Sequence, residues 1–398
     1  MPENTNEKSN LNSPFNETVG TYDYIIAGAG CAGLSLAMHM IHSGKFRDKK
    51  ILIVDQSTKT QNDRTWCFWQ KGHGIFESIV YKEWQNLFFH SDSFSKKLNI
   101  EPYCYKLIRS IDFYNYCLKK ISENSNFIFL QAGIKKVFSN ESGTGIIADD
   151  QEYTASFVFN SLLPPKPELK KGQHWLLQHF MGWIIDTNEG VFDPALATLM
   201  DFRTDQLNGT SFFYVLPFSP AKALVEYTIF SKELLKEEQY EQELKNYIKD
   251  TLRLLSYHIE EKEFGVIPMT DVRFSKKENN CINIGTAGGQ TKGSSGYTFN
   301  FIQKHSAAIV DSLIKHDHPF GVQDISNRFH FYDSILLSIL DEGKLNGADI
   351  FSDLFKKNKP QQVLKFLDNE TSVTEELNII RSLPILPFSK AAIKQVLS

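Results

Sequence analysis

The chain has 398 residues, of which 41% are hydrophobic and 23% are charged, and its formal net charge is −4. This composition excludes a wholly disordered chain and collagen-like or coiled-coil rods, and the length leaves room for more than one domain. Because basic residues are not in excess, the chain has no net positive charge with which to neutralise a phosphate backbone. No nucleic acid is therefore expected as a partner.

The first 20 residues are polar and lack the apolar core of a secretory signal, so we expect a disordered N-terminal lead. The longest apolar runs, such as residues 176–185, have the length of a core strand and fall short of the roughly 20 residues of a membrane-spanning helix. The sequence therefore predicts no spanning helix, whereas contact with a membrane surface stays open.

The first motif is a glycine-rich turn between a strand and a helix. Residues 22–27 predict a short apolar strand, residues 28–33 read GAGCAG, and the amphipathic pattern that follows predicts a helix ending at Gly44. A second apolar strand over residues 50–55 ends in an acid. Strand, GxGxxG turn, helix and acidic strand end, in this order, indicate a dinucleotide-binding unit.

Each residue of this motif has a physical reason. Gly28 permits the tight turn, Gly30 lets the backbone approach a pyrophosphate, and Gly33 lets the helix pack closely on the strand. The helix N-terminus offers N–H groups to the phosphates, and Asp55 is expected to accept hydrogen bonds from ribose hydroxyls. FAD is favoured over NAD, because the motif lies near the N-terminus of a long chain that has a second cofactor segment.

The scattered cysteines and the aromatic residues are also informative. There are 31 Phe, 15 Tyr and 5 Trp residues, which fits large cores or a site for a large apolar ligand. The five cysteines form no CxxC pair, so we predict a reducing, cytoplasmic location and neither a disulfide framework nor a metal site. The cysteines are Cys31, Cys67, Cys104, Cys117 and Cys281.

A stretch between the two glycine-rich segments predicts a helix over residues 106–121, with Ile108, Ile111, Tyr114 and Leu118 on one face. Arg109 near its start is a candidate phosphate ligand, with an ordinary surface arginine as the alternative.

The second cofactor segment follows an apolar strand over residues 281–284. A glycine-rich turn comes next, and a helix is predicted after Gly296. Two-segment FAD enzymes place a Gly-Asp-Ala turn near the ribityl chain and pyrophosphate; Thr286 stands here where Asp is usual, and its hydroxyl can still form a hydrogen bond. A ligand-free turn is the alternative. The turn residues are Gly285, Thr286, Ala287, Gly288 and Gly289.

These elements predict an α/β fold: a two-segment, Rossmann-like FAD-binding domain with an inserted antiparallel-sheet substrate domain and a helical C-terminal region. The predicted boundaries are 21–62, 105–162 and 263–310 for the FAD-binding domain, 63–104 and 163–262 for the substrate domain, and 311–398 for the helical region.

Several segments together resemble one family, the lycopene β-cyclases, which are flavin-dependent carotenoid cyclases of bacteria and plants. The resemblance runs over most of residues 22–340, and no single segment would suffice. The segments are residues 61–69 (QNDRTWCFW), 200–206 (MDFRTDQ), 212–231, 285–299 and 328–336 (RFHFYDSIL).

The resemblance implies an isomerase, of the intramolecular lyase type, that uses reduced FAD without net redox change; NAD(P)H is a candidate reductant. An acid protonates a terminal double bond of lycopene, a neighbouring alkene closes a six-membered ring, and proton loss leaves a β-ionone ring. The family's essential carboxylate corresponds to Glu226 in residues 224–228 (LVEYT). The family's adjacent second acid is replaced by Tyr227, which puts any role for two adjacent carboxylates in doubt.

The residues around Glu226 agree with an acid role. In a strand, Glu226 shares one face with Leu224, while Val225 and Tyr227 lie on the other. A carboxyl in apolar surroundings has a raised pKa and can stay protonated. Aromatic rings near it could stabilise a carbocation, although each ring has core packing as its alternative. The candidate rings are Trp66, Phe68, Trp69, Phe212, Phe213, Tyr214, Phe218 and Tyr297.

Two other classes compete with the cyclase. One is a redox flavoenzyme of the same fold, a monooxygenase or a prenyl-chain reductase, which would change the product mass; the other is a prenyl-lipid carrier. A water-insoluble substrate such as lycopene implies peripheral membrane contact through an apolar patch. Residues 383–398 are a candidate for that patch, with a packed terminal helix as the alternative.

Overall fold

The computed structural model describes residues 20–141, 143–323 and 326–397. The predicted disordered lead, apart from Gly20, lies outside the described residues. Strands and helices are numbered separately in chain order. The strands are β1 Thr21–Ala27, β2 Ile51–Asp55, β3 Thr65–Lys71, β4 Lys82–Trp84, β5 Asn86–Ser91, β6 Phe94–Asn99, β7 Tyr103–Arg109, β8 Phe127–Gln131, β9 Ile134–Asn140, β10 Gly143–Ala148, β11 Gln151–Asn160, β12 Trp175–Asp186, β13 Leu196–Asp201, β14 Thr210–Pro217, β15 Lys222–Ser231, β16 His258–Thr270, β17 Lys277–Glu278 and β18 Cys281–Asn283.

The helices contribute most of the C-terminal quarter of the chain. They are α1 Cys31–Ser43, α2 Ser110–Ser122, α3 Glu237–Asn246, α4 Phe299–His316, α5 Asn327–Asp341, α6 Gly347–Lys357, α7 Pro360–Leu367, α8 Val373–Ser382 and α9 Ile385–Leu397.

The first sheet has the strand order β17-β18-β11-β1-β2-β8, and β9 and β10 extend it from β11. The strands β8, β2, β1, β11 and β18 run parallel. Ile25 and Ile26 are fully buried on opposite faces of β1, as expected for a sheet covered on both sides. Because parallel strands end at the same edge, the turns after β1 and β18 lie on one side of the sheet.

The second sheet is antiparallel except for one parallel pair, with the order β16-β12-β15-β14-β13-β5-β6. One of its faces packs against α3 in a cluster that includes Val225, Tyr227 and Tyr240. The other face forms a cluster with α6 and α7 and with a small third sheet of order β3-β7-β4. The fold class predicted from the sequence is confirmed: a parallel Rossmann-like sheet, an antiparallel sheet and a helical C-terminal region.

The prediction of a helix over residues 106–121 is wrong in its first four residues. Residues 103–109 form β7, which pairs with β3 and β4, and α2 begins only at Ser110. Ile108 therefore packs from a strand and not from the predicted helical face. The apolar run Leu107-Ile108 fits both the helical and the strand periodicity, and pairing with β3 makes these residues a strand.

Two predicted domain boundaries fall inside strands. The boundary at 104/105 cuts β7, and that at 262/263 cuts β16, which pairs along its length with β12. The division into a cofactor domain and a substrate domain stays a prediction; if it holds, its boundaries lie at the ends of these strands.

Candidate active site

A cavity of about 460 Å³ lies between the two large sheets. Its glycine end is formed by Gly30, Cys31, Ala32, Gly285 and Thr286, which belong to the two glycine-rich segments. Its acid end is formed by Glu226 with Leu224 and Tyr214 beside it. The fold thus brings to one cavity three features that lie far apart in the sequence.

The turn after β1 is built around close backbone contacts. Gly28 has φ +96°, and a Cβ there would lie 2.2 Å from Ser161 Oγ. A Cβ on Gly33 would lie 2.0 Å from the carbonyl oxygen of Gly28. Within the described residues, a Cβ on Gly30 would meet nothing closer than 4 Å. Gly28 and Gly33 are therefore required by the turn itself, whereas Gly30 keeps space open towards the cavity.

The first turn of α1 offers its N–H groups to the cavity. Gly30 is the N-cap, the first turn carries no acid, and in the part of the chain that the structure describes no side chain caps it. Asp55 Oδ2 accepts from the Ala29 N–H at 2.7 Å and lies 3.1 Å from Lys59 Nζ, so Asp55, at the end of β2, fixes the turn after β1. An uncapped helix N-terminus behind an open glycine fits a diphosphate group.

The turn after β18 is equally tight. Gly285 has φ +64°, and a Cβ there would lie 2.7 Å from the Cβ of Ala32, so the two glycine-rich turns touch. Gly289 has φ +78°, and a Cβ on Gly288 would lie 2.1 Å from a backbone oxygen. Thr286 Oγ1 lies 3.0 Å from Thr291 Oγ1 and faces the cavity, while Ala287 is buried. Phe299 begins α4, as the sequence predicts.

Arg109 does not join this group. Its Nε lies 2.6 Å from Asp112 Oδ2, and its guanidinium stacks on the ring of Tyr81 at 4.0 Å from the centroid. Among the described residues, the basic side chains that line the cavity are Lys59 and Arg64 instead. The predicted phosphate contact of Arg109 has no support in this geometry, and these two residues are better candidates.

Glu226 lies in the middle of β15 and lines the cavity together with Leu224, the residue with which strand alternation predicts a shared face. Thr228 Oγ1 donates a hydrogen bond to Glu226 Oε1 at 2.7 Å. Burial and the charge of Glu263 raise the pKa of the Glu226 carboxyl well above its usual range. Glu226 therefore has the environment of a carboxyl that stays protonated at neutral pH.

Glu263 was not predicted as a site residue. It lies opposite Gly182 of β12, and Gly182 in turn lies opposite Glu226, so the two acids flank a residue without a side chain. Thr65 Oγ1 donates to Glu263 Oε2 at 2.7 Å, while Glu263 Oε1 is buried without a hydrogen-bond partner among the described residues. A glycine inside an apolar strand pattern often marks a close approach, and Gly182 was the available signal.

Tyr227 points away from the cavity. Its ring packs in the cluster under α3, and its hydroxyl donates to Ser211 Oγ at 3.1 Å. An acid at this position would lie on the opposite face of the sheet from Glu226. The second acid in the row of Glu226 is therefore Glu263, which comes from another strand, and not the residue at position 227.

Aromatic rings form much of the wall near Glu226. Tyr214 lies opposite Glu226 on β14, and its hydroxyl lies 3.5 Å from that of Tyr297. Burial raises the pKa of the Tyr105, Tyr214 and Tyr297 phenols, so all three are neutral. Of the rings named from the sequence, Trp66, Tyr214 and Tyr297 line the cavity. The additional aromatic residues that line it are Tyr105, Tyr114, Phe180 and Phe299.

A larger cavity of about 910 Å³ borders the other side of the second glycine-rich turn. It shares Thr286 with the first cavity and is lined by α4 and by residues between β16 and β17. Neither Gly30 nor Glu226 lines it. Because the glycine end and the carboxyl of Glu226 meet in the smaller cavity, that cavity is the candidate active site.

Comparison with known structures supports the fold. A geranylgeranyl bacteriochlorophyll reductase-like protein from Thermoplasma acidophilum has a TM-score of 0.62 and 13% identity, over 95% of this chain and 100% of that one. A flavoprotein/dehydrogenase from Cytophaga hutchinsonii has a TM-score of 0.63 and 11% identity, over 95% and 99%. At these identities the similarity shows a shared fold.

Comparison of sequences shows the family. A lycopene beta-cyclase from Pantoea ananas is 25% identical over 220 residues, so the match spans about half of each protein, 52% of this chain and 52% of that one. The model of the family described as lycopene cyclase protein matches residues 23–393. The chain belongs to this family.

Proposed function

We propose that this member of the lycopene cyclase family is a lycopene β-cyclase, which closes the ends of an acyclic carotenoid to β-ionone rings with FAD as its cofactor. One observation carries the proposal: a partly buried carboxyl, Glu226, and an uncapped helix N-terminus at Gly30 line the same cavity. Family membership and the relative from Pantoea ananas support the same reading.

The glycine end supplies the contacts for FAD. The first turn of α1 would hold the diphosphate, Asp55 lies at the end of β2 for the ribose, and Thr286 offers a hydroxyl towards the ribityl chain. In its reduced form, for which NAD(P)H is the proposed electron source, the flavin would supply an electron-rich ring system beside the reacting carbons. Gly285, where a Cβ would lie 2.7 Å from the Cβ of Ala32, keeps the two turns close enough for one ligand, while Gly28, Gly33, Gly288 and Gly289 keep each turn tight.

The acid end supplies the proton. Glu226 donates it to the terminal double bond of lycopene, which leaves a tertiary carbocation. The neighbouring double bond attacks this cation and closes a six-membered ring, and the carboxylate of Glu226 takes up a proton from the ring. The product is a β-ionone ring, and the numbers of hydrogens and electrons in the carotenoid are unchanged.

The walls fit a cationic, apolar reactant. The faces of Trp66, Tyr214 and Tyr297 would stabilise positive charge through their π systems, and the neutral phenols place no competing anion there. Leu163 and Val266 line the cavity and are 47% and 41% exposed, so part of its rim is apolar. An apolar rim is suited to a hydrocarbon chain end.

The substrate must come from a membrane, and we propose peripheral attachment from the cytoplasmic side. The described helices include none with both the length and the apolar character needed to cross a bilayer. α9 packs on α5 through Ala391, yet α8 and α9 together expose a row of large apolar side chains, which would enter the lipid interface. The exposed side chains are Val373, Leu377, Ile380, Ile385, Leu386, Ile393, Val396 and Leu397.

The test is expression of the chain in a bacterial host that accumulates lycopene, with the pigments separated by chromatography and mass detection. A new carotenoid of unchanged mass and shortened chromophore is the expected product. A product shifted by hydrogen or oxygen would replace the proposal with a redox flavoenzyme of the same fold, a monooxygenase or a prenyl-chain reductase. Flotation of the purified protein with liposomes tests attachment, and a protein that stays wholly in solution would refute it.

A further inference from the structure

The carboxyls of Glu226 and Glu263 form a pair across β12. Both lie opposite Gly182, in a row of the sheet that also contains Tyr214. A Cβ on Gly182 would lie 3.1 Å from Glu263 Oε1 and 2.9 Å from Leu224 Cδ1, so a larger residue there would fill the space between the two acids. The sheet thus leaves out a side chain at the one position that would separate them.

The two acids have different hydrogen-bond partners and different access. Glu226 lines the cavity and accepts from Thr228, whereas Glu263 is not among the described residues that line it and accepts from Thr65. Glu263 Oε1 is a buried acceptor without a donor in the described chain. A buried acceptor facing a second carboxyl is satisfied most directly by a proton that the two groups share.

We propose, on the basis of the proposed cyclase function, that Glu263 is a positioning residue that forms a one-proton pair with Glu226: Glu226 carries the proton and Glu263 carries the negative charge. Two carboxylates this close to each other do not both ionise readily, so the charge on Glu263 keeps Glu226 protonated. Glu263 acts on the reaction through Glu226 and does not touch the carotenoid.

The charged and titratable groups around the pair favour this division. Burial raises the pKa of the Glu263 carboxyl, and the charge of Glu261 on the same strand adds to this effect. The hydroxyl of Thr65 at the start of β3, the hydrogen bond with Glu226 and the positive charge of Arg64 just before β3 act in the opposite direction and stabilise the negative charge on Glu263. Towards the cavity, burial keeps the Cys67 thiol and the Tyr105 and Tyr214 phenols neutral. Tyr297, on the loop before α4, is neutral for the same reason.

The proton count closes over one ring. The resting pair holds one proton and one negative charge. Transfer of the proton from Glu226 to the alkene leaves two carboxylates beside one carbocation, so the total charge is unchanged. Ring closure moves the positive charge to a ring carbon, and return of a ring proton to Glu226 restores the pair. No external acid, base, oxidant or reductant is consumed.

The experiment compares pH profiles of the full-length, FAD-loaded protein. Removing the charge by Glu263→Gln should lower the pKa of Glu226. The alkaline limb of the activity profile, where activity is lost as the pH rises, should therefore shift to lower pH by about one unit or more. Glu263→Asp keeps the charge and should leave the limb near that of the wild type. Glu260→Gln is the matched control, because it removes an exposed carboxylate of the same strand whose partner is Lys222.

A second readout does not need turnover. Infrared pH titration of the resting protein should show a protonated carboxyl band that is lost in Glu226→Gln and titrates at lower pH in Glu263→Gln. If the wild type makes no cyclic carotenoid but shows this band, the proposed function fails and the pair stands. If the wild type cyclises lycopene while Glu263→Gln keeps both the wild-type limb and the wild-type titration, the pair is refuted. Should Glu263→Gln not fold, Gly182→Ala separates the carboxyls and should move the limb in the same direction by less.

Discussion

The two ends of the cavity are built in different ways. The glycine end comes from two continuous stretches, residues 28–33 and 285–289, in which neighbours in sequence are neighbours in space. The acid end depends on β12, β14, β15 and β16, whose residues Gly182, Tyr214, Glu226 and Glu263 meet only through strand register. Each turn depends on residues that are adjacent in sequence, whereas the carboxyl pair depends on how separate strands are paired. The two ends can therefore be disrupted separately.

The largest effect is expected from a substitution that disrupts only the acid end. Glu226→Gln keeps the shape and polarity of the side chain and removes its transferable proton, so we expect cyclisation to fall by about 10²–10⁴-fold or more while FAD content is unchanged. Pigment analysis in the lycopene-accumulating host measures the loss, and flavin absorbance of the purified variant measures the cofactor. Normal turnover by this variant would remove Glu226 from the acid role.

The next largest effect is expected from a substitution that disrupts only the glycine end. Because a Cβ on Gly30 meets no described atom within 4 Å and Gly30 has φ −79°, Gly30→Val should fold and should place its side chain where the diphosphate binds. We expect the purified variant to be colourless, with thermal unfolding of the apoprotein close to that of the wild-type apoprotein. Gly20→Ala, where a Cβ has only an ordinary contact, is the control. A fully FAD-loaded Gly30→Val protein would contradict the placement of the cofactor.

A smaller effect is expected from a substitution on the face of β15 that points away from the cavity. Tyr227→Phe removes a buried hydrogen bond to Ser211 and should lower the free energy of unfolding by about 0.5–1.5 kcal/mol, measured by urea titration. The pH profile of cyclisation should not change, because the Tyr227 ring lies in the cluster under α3. A displaced alkaline limb in Tyr227→Phe would show that the position after Glu226 takes part in its protonation.

The difference between the two ends also decides what the sequence could reveal. The turn at Gly28, the helix end at Gly44, the acid at Asp55 and the start of α4 follow from local patterns, and all four lie where they were expected. Strand alternation was enough to place Glu226 on the same face as Leu224, opposite Val225 and Tyr227. Glu263 could not be found in this way, because its partnership depends on the register of β12 with both of its neighbours.

Arg109 illustrates the opposite case: a local helical pattern suggested a phosphate contact, and strand pairing gives the residue another position. The stretch around it has a helical period, yet β7 continues to Arg109, whose side chain pairs with Asp112 and stacks on Tyr81. Arg109→Ala should therefore change the affinity for FAD by less than twofold. It should lower the free energy of unfolding by less than about 1 kcal/mol, because the ion pair is partly exposed. Arg64→Ala is the comparison, since Arg64 lines the cavity and should weaken FAD binding more. A large loss of FAD from Arg109→Ala would mean that the guanidinium leaves Asp112 for the cofactor, and the glycine end would then depend on register as well.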